Sequence, residues 1–295
     1  MKKKMVLLLI ILTGLSTFGC HKAIPLNMYS ERFDIVKNSE ADYLPGIVLE
    51  VETSVKDLVI RNHEEEKILI EAHIEGIGKS VEEARENAEK TEIELSEQDN
   101  RILISNISPR DAKGTSLALV GYVIYIPEEF NAILSSSTGD ILIEKVKGDL
   151  NLNNSTGDTI VDACRGDVSF EISTGLLRIN SLEGALSGSS STGDIFLENL
   201  KGSVDIETST GDVRGKLQLS GSTDKISTST GDVRIELIEP SLEVFFKSNT
   251  GKIDLGNLTL ESSESDKKSV AGIIGKGEGK LEIVSSTGNI YLESN

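Results

Sequence analysis

Residues 137–154 read STGDILIEKVKGDLNLNN, residues 155–172 read STGDTIVDACRGDVSFEI, and residues 173–190 read STGLLRINSLEGALSGSS. Each line of eighteen opens on Ser-Thr-Gly. A fixed short period marks a repeat architecture, in which one unit cannot bury its own apolar face and stacking supplies the core. Working outward from these lines, the Thr-Gly dipeptide ends at Gly139, Gly157, Gly175, Gly193, Gly211, Gly231, Gly251 and Gly288, with spacings of 18, 18, 18, 18, 20, 20 and 37. Midway stand Gly148, Gly166, Gly184 and Gly202, with Gly221 ten residues after Gly211. Each unit therefore carries two turn signals and two strand segments.

The side chains agree column by column. Two residues after the Thr-Gly glycines stand Ile141, Thr159, Leu177, Ile195, Val213, Val233, Ile253 and Ile290. Four residues after stand Ile143, Val161, Ile179, Leu197, Gly215, Ile235, Leu255 and Leu292. Positions two apart share one face of a strand, so both columns point inward. After the midway glycines, Leu150, Val168, Leu186 and Val204, then Leu152, Phe170, Gly188 and Ile206, supply the second side. Thr159, Gly188 and Gly215 are the thin spots. The sequence thus predicts a mainly β fold, a two-sided stacked β-solenoid over residues 133–295 with coils about 4.8 Å apart and right-handed crossovers. Glycine at each corner is free to take positive φ. The preceding Ser137, Ser155, Ser173, Ser191, Ser209 and Ser229 are expected to stack as a ladder of hydroxyls.

Asp140, Asp158, Asp194, Asp212 and Asp232 follow five of these glycines and admit two readings. A row of carboxylates could ligate calcium. Calcium-binding nonapeptide solenoids use Gly-Gly-x-Gly-x-Asp, which this chain lacks, and Leu176, Lys252 and Asn289 interrupt the row. Turn chemistry is the stronger reading, because two carboxylates about 4.8 Å apart in water repel by only about 0.9 kcal/mol. Weak cation binding stays open beside it.

Outside the repeats, Lys2 to Lys4, the apolar run Met5 to Leu12 and the small Gly19 before Cys20 read as a lipoprotein signal over residues 1–19. Cys20 is then the lipidated first residue, and its acyl chains hold the protein at a membrane. Residues 20–45, with two prolines and no period, are expected to be a tether. Residues 46–132 form a β/α cap that shields the first coil's unpaired edge. Within it, residues 46–60 and 67–74 suggest a strand pair around the acidic loop at Glu64 to Glu66. Ser80 before Val81, Glu82, Glu83 and Ala84 marks the start of one helix. A polar insertion near 261–280 accounts for the 37-residue gap.

The composition excludes several functions. Against 30 Lys plus Arg stand 48 acidic residues, a net charge of -18, so nucleic acid is not a partner. Without Trp and with 4% aromatic residues, stacking platforms are scarce. The chain's two cysteines form no disulfide framework. Cys164 falls in a column with Val146, Leu182 and Leu200 and reads as a small core residue. His63 beside three glutamates lacks any metal-ligand spacing. Phosphate loops, nucleophile elbows and Cys-x-x-Cys are absent, so no cofactor, metal or catalytic residue is expected, and the protein is read as a non-enzyme.

The order of these pieces carries a resemblance: an export signal, Val-x-Val strands, one helix with Glu82-Glu83-Ala84, a strand ending Tyr122 to Pro127, Ser-Thr-Gly-Asp coils, and the closing stretch Gly275 to Tyr291. Over about residues 46–295 the chain resembles the bacterial putative adhesin family of two-sided β-solenoids called Toastrack. The resemblance implies the solenoid fold and an adhesive or scaffolding role, and brings no catalytic or ligand residues with it. The expected function is therefore that of a lipid-anchored, exported envelope protein that binds an unknown protein or glycan. A regulatory or stress-sensing partner of a membrane protein is the alternative, and a glycan-active enzyme a third.

Overall fold

The computed structural model describes residues 29–220, 223–266 and 268–295. Coils lie on one another in parallel, each residue opposite its equivalent in the next winding. On one side Ile141, Thr159, Leu177, Ile195, Val213 and Val233 are successive ladder partners. On the other, Ala132, Leu150, Val168, Leu186 and Val204 are. We call these sides sheet A and sheet B. Successive windings run the same way, so each strand's N–H and C=O groups find partners above and below. Between the sheets lies the aliphatic core, in which Ile141, Ile195, Leu177 and Val233 are fully buried. A short third ladder, Val146, Cys164, Leu182, Leu200 and Leu217, joins sheet A to sheet B. The mainly β, stacked solenoid that the period predicts is the fold.

The thin spots have local causes. Gly188 is the ladder partner of Phe170, and a methyl there would press on that ring and its carbonyl. Thr159 is fully buried, its hydroxyl in reach of Asn154 Nδ2 at 3.3 Å. Gly215 adjoins the register shift between Leu197 and Leu200.

At the corners, glycine is required by both conformation and space. Gly193 has φ +140, and a Cβ there would overlap the carbonyl oxygen of Gly175 one coil away. The expected hydroxyl ladder is displaced by one residue. Ser137 and Ser155 are exposed, while the residues before them turn inward: Ser136, Asn154, Ser190, Thr208, Thr228, Ser248 and Ser285 are buried. Five of them, Ser136, Asn154, Thr228, Ser248 and Ser285, donate to corner carbonyls, while Ser190 Oγ and Thr208 Oγ1 have no partner among the described residues. Asn154 Nδ2 donates to the Gly139 and Gly157 oxygens at 3.2 Å, and Ser248 Oγ to the Gly288 oxygen at 2.7 Å.

The amino end departs from the expected layout. Its elements are β1 (Glu31–Asp42), β2 (Val48–Thr53), β3 (Leu58–Asn62), β4 (Lys67–Gly78), α1 (Val81–Lys90), β5 (Glu92–Gln98), β6 (Arg101–Ile107), β7 (Ala118–Ile126), β8 (Asn131–Ser136) and β9 (Ile141–Ile143). The predicted strand pair of 46–60 with 67–74 does not form. Instead β2 and β3 are a complete coil, parallel to β8 and β9 on one side and to β6 and β7 on the other. Its corner is Ser54-Val55-Lys56-Asp57, without Thr-Gly, so the repeat passes unseen. β4 runs antiparallel between β7 and β1.

The boundary of the expected tether at 45 is also corrected, because residues 31–42 form β1. Its inward residues are Ile35, Lys37, Ser39 and Ala41, and two polar side chains in four hide the alternation. Lys37 is 7% exposed, and its Nζ donates to the Glu89 and Thr91 carbonyls at 2.8 and 2.6 Å. Burial holds this lysine below its usual value, against the opposing pull of Glu92 and Glu89. The cation thereby satisfies carbonyls at the end of α1. That helix starts as predicted, with the Glu83 N–H donating to Ser80 Oγ at 3.2 Å. Ala84 and Ala88 pack so closely on Gly76 and Gly78 of β4 that no side chain fits there. The helix thus packs on the outer strands at this end of the solenoid.

At the other end the order in space again differs from the order in sequence. Strands Gly279–Thr287 and Ile290–Ser294 insert between the coil of Thr223–Thr230 and Val233–Leu237 and that of Leu242–Ser248 and Ile253–Asp254. The polar insertion is a hairpin, Glu261–Ser265 against Ser269–Ile274, which extends sheet B antiparallel to Leu242–Ser248. Charged Glu261 and Glu264 on its edge strand oppose further strand addition.

Candidate functional site

Three residues after each Thr-Gly glycine the side chain points out of sheet A. Ladder pairing lines up Leu142, Ile160, Arg178, Phe196, Arg214, Arg234, Tyr291 and Asp254 in that order. From Arg178 to Tyr291 this is four coil steps, about 19 Å. The Phe196 ring has a guanidinium on each side, Arg178 at 4.8 Å and Arg214 at 5.5 Å from its centroid. Arg234 lies 4.7 Å from the centroid of Tyr291. Phe196, Arg214, Arg234, Tyr291 and Asp254, together with Glu198, Lys216, Glu236, Gly256 and Glu293, line an open trough of about 650 Å³, with Arg178 beside it on the far side of Phe196. The register shift at Leu197 to Leu200 and the positive φ of Asn199 shape one wall.

The cations in and beside the trough are held by carboxylates on both flanks. Arg178 pairs with Glu198 at 2.8 Å, Arg214 with Asp212 at 2.8 Å, Arg234 with Asp232 at 2.7 Å, and Lys216 with Glu236 at 2.7 Å. Part-exposed pairs of this kind contribute little stability, of order 0–1 kcal/mol each. Their effect is geometric, fixing each guanidinium against its ring.

The aspartate row is chemically occupied. Asp57, Asp140 and Asp158 each accept, through Oδ1, the backbone N–H of the next coil's corner: Asp140 at 3.0 Å, Asp158 at 2.8 Å and Leu176 at 2.9 Å. Asp194, Asp212 and Asp232 do the same for Asp212, Asp232 and Asn289, each at 2.8 Å. The Asn289 backbone N–H, together with Arg234, holds the Asp232 carboxyl below the usual carboxylate range. The aspartates therefore act between coils, rather than within their own turns. A second such row runs through Asn131, Asp149 and Asp167 to Ala185. Among the described residues no three His, Cys, Asp or Glu side chains converge as metal ligands would.

The structure places Gly139, Gly157, Gly175, Gly193, Gly211, Gly231, Gly251 and Gly288 at one corner of the stack, each close to the backbone of a neighbouring coil. Cys20 and Gly221 lie outside the described residues. Cys164 occupies the core column expected of it, 3% exposed, with burial and the nearby Asp149 and Asp167 pushing its thiol up to about 12. Native protein should accordingly leave Cys164 unmodified by an aromatic disulfide reagent at pH 8 while denatured protein reacts within minutes; prompt native reaction would contradict this burial. His63 Nε2 lies 2.6 Å from the Lys67 carbonyl and ties the turn between β3 and β4. No helix among the described residues is long and apolar enough to cross a membrane.

Sequence reasoning follows the inward columns and misses the trough. The signal was present three residues after each glycine, where the series changes from Leu and Ile to Arg, Phe, Arg, Arg, Asp and Tyr.

Among solved structures the chain is similar to a "putative cell adhesion protein" of Clostridium sporogenes, with 14% identity, 88% of this chain and 100% of that chain covered, and a TM-score of 0.25. A "putative adhesin" of Bacteroides fragilis shares 8% identity over 88% of this chain and 97% of its own, with a TM-score of 0.33. A "putative lipid binding protein" of Parabacteroides distasonis shares 9% over 86% and 96%, with a TM-score of 0.27. No curated protein matches. The sequence pattern of the family described as Toastrack DUF4097 matches residues 47–293, a span that starts at the β2–β3 coil and ends on the inserted last coil, and the chain belongs to that family.

Proposed function

We propose that this protein is a non-enzymatic, lipid-anchored component of the cell envelope that binds another macromolecule along the outer face of sheet A, as an adhesin or surface scaffold. One observation carries the reading: the arginine–aromatic ladder runs from Arg178 to Tyr291, and its members Phe196, Arg214, Arg234 and Tyr291 line an open trough on a stack of sheets. Arginine and aromatic side chains are the groups that contribute most at macromolecular interfaces. Asp212 and Asp232 beside the trough are engaged with backbone N–H groups and arginines, which suits a binding face better than proton transfer. The anchor is Cys20, so incorporation of labelled palmitate should vanish in Cys20→Ala.

The binding role is tested by crosslinking in the native envelope followed by affinity capture. Wild type should recover a specific macromolecule, and the pair Arg214→Glu with Arg234→Glu should lose most of it while the far-UV circular dichroism stays the same. Equal recovery by the variant would overturn this face as the binding surface. If the captured species is an integral membrane protein, the role is regulatory rather than adhesive.

A further inference from the structure

The chemistry of the trough is unbalanced toward one kind of ligand group. Each cation in or beside it is matched: Arg178, Arg214, Arg234 and Lys216 pair with Glu198, Asp212, Asp232 and Glu236. Two carboxylates at the Tyr291 end, Asp254 and Glu293, are exposed and form no ion pair among the described residues. The aromatic rings are matched unequally as well. Phe196 has two guanidiniums as neighbours, whereas among the described residues Tyr291 has one, Arg234. In the coil beyond Tyr291 the ladder position belongs to Asp254, and two residues further on stands Gly256, which brings no side chain. Asp254 Oδ1 accepts the Gly256 N–H at 3.0 Å, so what the trough leaves without a cation is one face of a ring and two negative charges.

We infer that the Tyr291 end of the trough receives a cationic group of the ligand, a guanidinium or an alkylammonium, as the second cation on that ring. This rests on the proposed binding face and specifies its chemistry. A cation held between an aromatic ring and carboxylates gains from the ring quadrupole and from charge together. The neighbouring Phe196, between Arg178 and Arg214, shows the same arrangement completed from within the chain. The partner is thereby expected to present Lys, Arg or a quaternary amine, in keeping with the protein's net charge of -18.

The experiment is a titration of the purified chain with N-acetyl-arginine amide and with tetramethylammonium chloride, followed by ring resonances in NMR, at constant ionic strength set with NaCl. The Tyr291 ring signals, assigned by their loss in Tyr291→Leu, should shift saturably with millimolar affinity. Tyr291→Leu should weaken binding roughly tenfold, Glu293→Gln several-fold, and Tyr291→Phe, which keeps the ring, should bind like wild type when followed by its new ring signals. That last variant separates loss of the site from loss of the fold. Shifts that never saturate, or that NaCl alone reproduces, would overturn the inference, as would unchanged affinity in Tyr291→Leu. The two readings fail separately. Envelope capture that survives Tyr291→Leu but not the double arginine variant would reject the cation site and keep the face. Saturable cation binding without any captured macromolecule would do the reverse.

Discussion

Asp224→Asn should stabilise the protein at neutral pH, by about 1–3 kcal/mol. Asp224 occupies the inward column of sheet B, where the preceding coils place Leu186 and Val204 and the following one Leu281. It is fully buried, its Oδ1 accepts the Val204 N–H at 2.8 Å, and its Oδ2 has no partner among the described residues. Burial raises its pKa above the ordinary carboxylate value, with the Val204 N–H opposing. The folded chain therefore holds this proton to higher pH than the unfolded chain does. Its favourable contribution is complete below the unfolded value near 3.8 and is lost as pH rises through the folded one. At pH 7 the charged form is a liability. Asparagine keeps the acceptor for Val204 and removes the charge. Urea unfolding at pH 4.5 and 7.5 should show the variant gaining mainly at the higher pH. A wild-type midpoint equal to or above that of the variant at pH 7.5 would show that Asp224 is not buried as charge.

The second large effect is a loss. Gly193→Ala should cost about 3 kcal/mol or more, because the new methyl needs both an unfavourable φ of +140 and the volume held by the Gly175 carbonyl. That carbonyl cannot withdraw without disturbing the ladder of the neighbouring coil. Gly114→Ala provides the control. Its φ is +82, but nothing lies within 4 Å of the added atom, so the cost there should stay at about 1 kcal/mol. Thermal melts of the two variants side by side separate backbone conformation from coil contact. Equal losses would mean that contact between windings contributes nothing to the glycine requirement.

How far the sequence reaches follows from where its constraints are local. The middle coils are legible because their Thr-Gly corners need glycine and most of their inward positions hold aliphatic side chains, so Gly193, Ile195 and Leu197 announce themselves at fixed offsets. β1 is not legible, since Lys37 faces inward to bind helix carbonyls and breaks the alternation. The β2–β3 coil hides behind Lys56-Asp57, a corner without its dipeptide. Stacking order is not local at all. Nothing in Leu242–Ser248 or Gly279–Thr287 says which lies against Thr223–Thr230, because both offer large apolar side chains at the same alternate places, Val244 and Phe246 in one and Leu281 and Ile283 in the other. The trough inherits that uncertainty: Tyr291 joins Arg234 only once the last coil is known to sit beside the one containing Val233. Its arginines and rings were readable as a series, but their contact was not.

The out-of-order coils at both ends govern how the molecule resists tension. A pull applied through the residues before Glu31 peels β1 away from β4 one hydrogen bond at a time, and then meets Val48–Asn62, which is laddered on both flanks. From there the load has to shear two seams together instead of unzipping one. The carboxyl terminus is tucked in the same way, between windings that the chain completed before it.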